Sequence, residues 1–118
     1  MPHFALQPPD EDALAPADVR LVDLAVEPYP DGRRVRILVD ITPFQQPPNL
    51  EIRISAANGE VVSVTHIIET AVEQLKFTMH IRSAEAVGPF TAAVRLYYPD
   101  LDCVDERQVN FETPAANG

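Results

Sequence analysis

The chain has no tryptophan, one cysteine, four glycines and a single lysine among its 118 residues. Each scarcity removes a class of protein. Cys103 alone cannot form an intramolecular disulfide, so an apolar core must carry the stability. At this length two packed layers bury enough surface to do without cross-links or metal. Gly32, Gly59, Gly88 and Gly118 are too scattered to cradle a phosphate, and G-x-S-x-G, G-x-x-x-x-G-K-[ST], H-E-x-x-H and C-x-x-C are all missing. No apolar run approaches the ~20 residues of a membrane span. The N-terminus lacks the basic and apolar regions of a signal peptide, which makes a cytoplasmic location the default expectation. Positive charge is also short: nine basic residues face eighteen acidic ones, a net charge of −9. Nucleic acid and anionic membranes both need a basic footprint, so neither is expected as a partner.

What the chain does have is alternation broken by proline. Twelve prolines disrupt helix interiors and central strands and so belong in loops and ends. Residues 1–17 hold four of them with Asp10, Glu11 and Asp12, and read as a flexible tail from which Phe4 and Leu6 can dock. Residues 19–27 place Val22, Leu24 and Val26 in one phase. Pro28-Tyr29-Pro30-Asp31-Gly32 is dense turn chemistry. Residues 33–42 then alternate cleanly, Val35, Ile37, Val39 and Ile41 against Arg34, Arg36, Leu38 and Asp40, the period of a half-buried strand. After a proline-rich break, residues 49–56 turn Leu50, Ile52 and Ile54 inward.

Asn58-Gly59 signals a hairpin. A three-residue loop, Ala57-Asn58-Gly59, pairs Ile54 with Val62 and Ile52 with Val64, whereas a two-residue loop pairs them with Ser63 and Thr65. Cross-strand partners share a face, so the apolar pattern selects the longer loop with Gly59 left-handed in a bulge. Residues 74–82 turn Leu75, Phe77, Met79 and Ile81 inward. Ile68, Ala71, Val72, Leu75 and Met79 also match a helix spacing, but the β-branched run 61–68 and the strict alternation of 75–82 favour strand, turn, strand. Residues 90–98 place Phe90, Ala92, Val94, Leu96 and Tyr98 in one phase. A last strand spans about 105–112, and 114–118 form a second tail. Seven short strands separated by turns predict an all-β fold, a two-layer antiparallel β-sandwich occupying residues 18–113.

The segments Leu50-Glu51-Ile52-Arg53-Ile54, Asn58-Gly59-Glu60-Val61-Val62 and Gly88-Pro89-Phe90-Thr91-Ala92-Ala93-Val94-Arg95-Leu96 carry a resemblance. The chain resembles bacterial immunoglobulin-like and fibronectin type III-like modules over about residues 18–113. The resemblance implies an immunoglobulin-like sandwich and no particular function. The Cys…Trp…Cys core of antibody domains is missing.

Candidate chemistry is sparse. Cys103 with His66 or His80 makes a conceivable thiol and base, but nothing in the spacing brings them together, and an inert cysteine with solvated histidines is preferred. Asp100, Asp102, Asp105 and Glu106 crowd one loop and form a weak calcium candidate, without the spacing of an EF-hand. Arg95 and Tyr97, with Tyr98, can face a sugar in the same loop, 97–106. Arg34 and Arg36 on one strand, and Lys76, His80 and Arg82 on another, share a face if the strands pair, making a basic stripe able to receive an acidic partner or the acidic run 10–12. Ion pairing with Asp23, Glu27 and Asp40 is the plainer reading of that stripe. The expectation is therefore no enzyme and no cofactor, but an interaction or structural module. It would contact protein, self or other, through a sheet edge or face, as a monomer or homodimer. A carbohydrate- or calcium-binding module using 97–106 is the alternative.

Overall fold

The computed structural model describes residues 12–82 and 86–114. Seven strands form: β1 (Leu21–Pro28), β2 (Arg34–Ile41), β3 (Asn49–Ser55), β4 (Val61–Ile67), β5 (Gln74–His80), β6 (Phe90–Tyr98) and β7 (Asp102–Phe111). All pairings are antiparallel. They build one sheet in the order β1-β2-β5 and another in the order β4-β3-β6-β7, an all-β sandwich that fits an immunoglobulin-like module. Residues 61–80 are strand, turn, strand, as alternation required; the helix spacing through Ile68 and Val72 is not used, and both side chains are exposed.

The core follows the period-two pattern. Val35, Ile37 and Val39 of β2 are wholly buried against Leu50, Ile52 and Ile54 of β3 and Ala92, Val94 and Leu96 of β6. Each buried branched aliphatic side chain contributes roughly 1.5–3 kcal/mol relative to exposure, so these three strands supply most of the cohesion. Phe90 and Phe111 stack with centroids 5.5 Å apart at the end of the sandwich. A Cβ on Gly88 would stand 3.2 Å from the Phe90 ring, so a bare backbone suits the entry to β6.

Three bulges overturn faces that simple alternation assigns. In β1 the register slips between Leu21 and Asp23; Leu21 and Leu24 are buried while Val22 is 52% exposed, not inward with Leu24. In the β3–β4 hairpin the loop is the three-residue one: Ala56 N–H donates to Glu60 O at 2.8 Å, Ser55 pairs with Val61, and Gly59 is left-handed at φ +88°. The expected register beyond it is wrong, however. A slip after Ser55 makes Val62 the extra residue, so Ile54 faces Ser63, Ile52 faces Thr65 and Arg53 faces Val64. A bulge opposes two residues to one and reverses the phase that follows, so Val62 and Ser63 are both buried and Val64 turns to solvent. In β7 the slip falls at Val104, and that strand begins three residues before the expected 105. Phe77 takes the expected inward phase, opposite Ile37, and is half-buried at the sheet margin.

Residues 12–17, expected as part of the flexible tail, are held on the body. Leu14 bridges to Phe44, its N–H donating to Pro43 O and its carbonyl accepting from Gln45 N–H; a 3-10 turn, Pro16–Asp18, leads into β1. The docking expected of Phe4 and Leu6 lies outside the described residues, as do the tail residues 1–11 and 115–118.

Candidate functional site

On the outer face of the β1-β2-β5 sheet, Arg34 lies opposite His80, Arg36 opposite Thr78 and Leu38 opposite Lys76. The expected basic stripe of Arg34, Arg36, Lys76 and His80 therefore exists. Arg82 is not in it: the chain has left β5, and Arg82 N–H donates to Val62 O across the sandwich, which places this residue beside β4. Within the stripe, Tyr29 organises the arginines. Arg34 Cζ sits 4.4 Å and Arg36 Cζ 5.8 Å from its ring centroid, within cation–π range. The phenol shares a hydrogen bond with Thr78 Oγ1 at 3.2 Å and accepts from Arg36 Nη2 at 3.5 Å. The Thr78 bond, then the Arg36 bond, hold the Tyr29 phenol below its ordinary pKa.

Arg34 Nε is bound to Asp31 Oδ2 at 2.7 Å. Asp31 also accepts the N–H groups of Arg33 and Arg34, and these bonds, Arg33's first, keep its carboxyl below the usual range. Arg36 reaches Glu27 only at 3.9 Å. Pairing of the two arginines is thus real, but mostly with Asp31 and Tyr29 instead of Asp23 and Asp40. The acidic run 10–12, considered as occupant of the stripe, lies outside the described residues apart from Asp12.

The outer face of the four-stranded sheet carries a charge row that alternation alone did not reveal. His66, Glu51, Arg95 and Glu106 lie side by side on β4, β3, β6 and β7. The contacts are His66 Nε2 to Glu51 Oε2 at 3.7 Å, Arg95 Nη1 to Glu51 Oε1 at 3.2 Å and Arg95 Nε to Glu106 Oε2 at 3.4 Å. Arg53 adds a 2.6 Å contact to Glu51. The Arg53 hydrogen bond, foremost, lowers the Glu51 carboxyl below its usual range despite partial burial. Arg95 also lies beside Cys103, and that contact with the Glu51 bond raises its guanidinium. A hollow of about 220 Å³ opens over Ala93 between Glu51, Arg53, Arg95 and Glu106.

The loop 97–106 does not gather what was expected of it. Tyr98 is buried, its hydroxyl donating to Gln46 O at 2.7 Å, and burial raises its pKa. Only Arg95 and Tyr97 face outward together, and Arg95 is engaged in the charge row. The carboxylates Asp100, Asp102, Asp105 and Glu106 diverge. Asp105 pairs across from buried Leu96 and turns inward, where Oδ2 accepts Leu21 N–H at 2.9 Å; Glu106 points outward to Arg95. No group of three or more His, Cys, Asp or Glu could hold a metal ion among the described residues. Cys103 on β7 is separated from His66 on β4 by two strands, and His80 belongs to the other sheet, so no thiol–imidazole pair forms.

The remaining surface is the open side of the sandwich, where the edge strands β4 and β5 run past each other. Val61, Val64, Ile68 and Val72 are all more than 40% exposed here. A groove of about 510 Å³ lies between the sheets, lined by Thr65, Ile67, Val72 and Gln74 to Thr78. A second, of about 440 Å³, follows β4 from Glu60 to Val64 and ends at Arg82. The opposite side is closed: Asp105 and Arg107 of β7 reach the N–H and carbonyl of Leu21 on β1. Sequence reasoning missed the open side because the Val62 bulge hides which valines face solvent.

These seven strands in two antiparallel sheets define an all-β sandwich, which fits an immunoglobulin-like module. No family model matches the chain, and no curated protein matches it. Solved structures do share the fold. A β-glucuronidase from Bifidobacterium dentium superposes with a TM-score of 0.64 at 18% identity, covering 83% of this chain and 18% of that one. A family 2 glycosyl hydrolase from Bacteroides cellulosilyticus gives 0.58 at 12% identity, covering 80% and 15%. A β-glucuronidase from Ruminococcus gnavus gives 0.56 at 13% identity, covering 81% and 16%. At such identities the likeness shows the fold alone. It corrects one expectation: the chain was set apart from enzymes, and the chains that share its fold are enzymes. This chain spans less than a fifth of the length of each. No helix among the described residues is long and apolar enough to cross a membrane.

Proposed function

We propose that the chain is an accessory β-sandwich module that docks on another protein surface through its β4–β5 side. The observation that carries this reading is the exposed apolar set of Val61 and Val64 on an edge strand, VVSVTHI, that contains no Asp, Glu, Lys, Arg or Pro, with Ile68 and Val72 in the connection that follows it. An unpaired edge is a template for strand addition, and folded proteins usually blunt it with charge, proline or bulges. The other edges are more guarded: β1 by Asp23, Glu27 and its bulge, β7 by inward Asp105 and Arg107 and its bulge, while Lys76 and His80 on β5 restrict that edge to a strand carrying matching acidic residues. β4 has a bulge only at its start, and Ser63–Ile67 beyond it is bare. Exposed apolar side chains beside an unblunted edge are the kind of surface that a partner covers, which supports the reading. The size of the chain, about one module of the longer glycosyl hydrolases that share its fold, supports an accessory role beside a larger body.

A photo-reactive residue placed at Val64, with Gln108 on the outer face of β7 as control, tests the reading in cells. Discrete adducts from position 64 and none from 108 support it, and their mass separates a second copy from a different protein. Equal labelling from both positions, or none from 64, removes it.

A further inference from the structure

We propose that the β4–β5 side takes an extended peptide segment in which acidic and apolar residues alternate, added as a fourth strand beside β5. The proposal rests on the docking side just described and adds the chemistry of its partner. β5 is an outer strand. One side is paired with β2 from Arg34↔His80 to Asp40↔Gln74, and among the described residues no strand pairs with the other. Its N–H and carbonyl groups there are open to strand addition, in which main-chain bonds give affinity and alternate side chains give specificity.

The two faces that an added strand would meet differ in chemistry. A strand beside β5 continues both of its phases. The outward phase meets Lys76, Thr78 and His80. Lys76 and His80 have no acidic partner among the described residues, whereas Arg34 and Arg36 one strand further in are already engaged by Asp31 and Tyr29. Lys76 makes the β5 margin locally positive on a chain of net charge −9, and with His80, four residues on in the same phase, it offers a cation and a hydrogen-bonding imidazole to carboxylates at that spacing. The inward phase meets the groove of about 510 Å³ lined by Thr65, Ile67, Val72, Leu75 and Phe77. Ile67 and Phe77 are half-buried and Val72 exposed, so apolar side chains entering the groove cover surface that is wet in the free protein. Glu73 precedes β5 and is exposed; it limits the register, since the partner's acidic residues fit the Lys76–His80 end and are repelled at the Glu73 end.

The test titrates isotopically labelled protein with the heptapeptide acetyl-Glu-Val-Glu-Val-Glu-Val-Glu-amide, followed by amide chemical shifts. Shifts confined to residues 65–80 are expected. Lys76→Glu combined with His80→Glu, both exposed, should weaken binding about tenfold at moderate salt, because surface pairs of this kind are individually small but reversal turns attraction into repulsion. The Lys-Val counterpart and an analogue N-methylated at alternate amides should not bind. The proposal is overturned if the Lys-Val peptide binds as well, if the double variant binds unchanged, or if the shifts map to another face. Failure of the peptide while cross-links from position 64 persist sinks the partner chemistry and leaves the docking side standing; loss of those cross-links removes both.

Discussion

Asp105 is the residue whose removal most sharply tests the closed side of the sandwich. Its Oδ2 accepts the Leu21 N–H at 2.9 Å, while Arg107 Nη2 donates to the Leu21 carbonyl at 3.2 Å. Leu21 is 3% exposed and sits where the β1 bulge breaks the ladder, so water cannot replace the lost acceptor cheaply. A hydrogen bond to a charged group is worth about 1.5–3 kcal/mol, and a buried donor left unsatisfied costs about 1–3 kcal/mol. Asp105→Ala should therefore destabilise by about 2–3 kcal/mol. Asp105→Asn keeps an acceptor oxygen and should cost about 1 kcal/mol, the loss of charge assistance. Glu106→Ala, one residue away, removes an exposed pair with Arg95 at 3.4 Å and should cost less than about 0.5 kcal/mol. Urea unfolding followed by circular dichroism measures all three, since the chain has no tryptophan to report, and an unchanged m-value licenses the comparison. The reasoning fails if Asp105→Ala lies within 0.5 kcal/mol of Glu106→Ala, a margin of about the usual surface effect.

Gly59→Ala should cost about 1 kcal/mol in the same assay, all of it backbone strain at φ +88°, because an added Cβ meets nothing within 4 Å; Gly59→Asn should cost less. Tyr98→Phe should lose about 1 kcal/mol at neutral pH with the bond to Gln46 O. Burial raises the Tyr98 pKa above its ordinary 10.0, so its contribution is complete below that value and is lost as pH rises through the raised one. The gap between wild type and the phenylalanine variant should thus narrow in melting curves above pH 10, and a constant gap would contradict the burial argument. Glu51 has the opposite sign. Its lowered carboxyl contributes stability above the ordinary 4.5, lost as pH falls through the lower folded value. Glu51→Gln should flatten that acid limb and cost under about 1 kcal/mol at neutral pH, less still in high salt.

Strand order in the chain, the inward residues of β2, β3, β5 and β6, and the left-handed Gly59 were all legible in the sequence. Those features rest on local rules: a pleated strand shows each face every second residue, proline and glycine punctuate it, and Ala57-Asn58-Gly59 closes its own hairpin. The Arg34 and Arg36 stripe was legible for the same reason, since period two puts them on one face and pairing with β5 needs only the common order of such sandwiches. Tertiary structure decided the rest. Val22, Val62 and Val104 are bulges, and one inserted residue reverses every face beyond it without any mark in the local sequence. That reversal sends Val64 to solvent and creates the exposed side on which the functional reading rests. Leu14 joins the body because Pro43 and Gln45 offer it backbone partners. Asp105 and Glu106, neighbours in sequence, part company because Leu21 approaches one face of β7 and Arg95 stands on the other. Alternation belongs to the strand itself and can be read from its residues, whereas bulges, edges and cross-sheet bonds depend on which distant backbone arrives beside it.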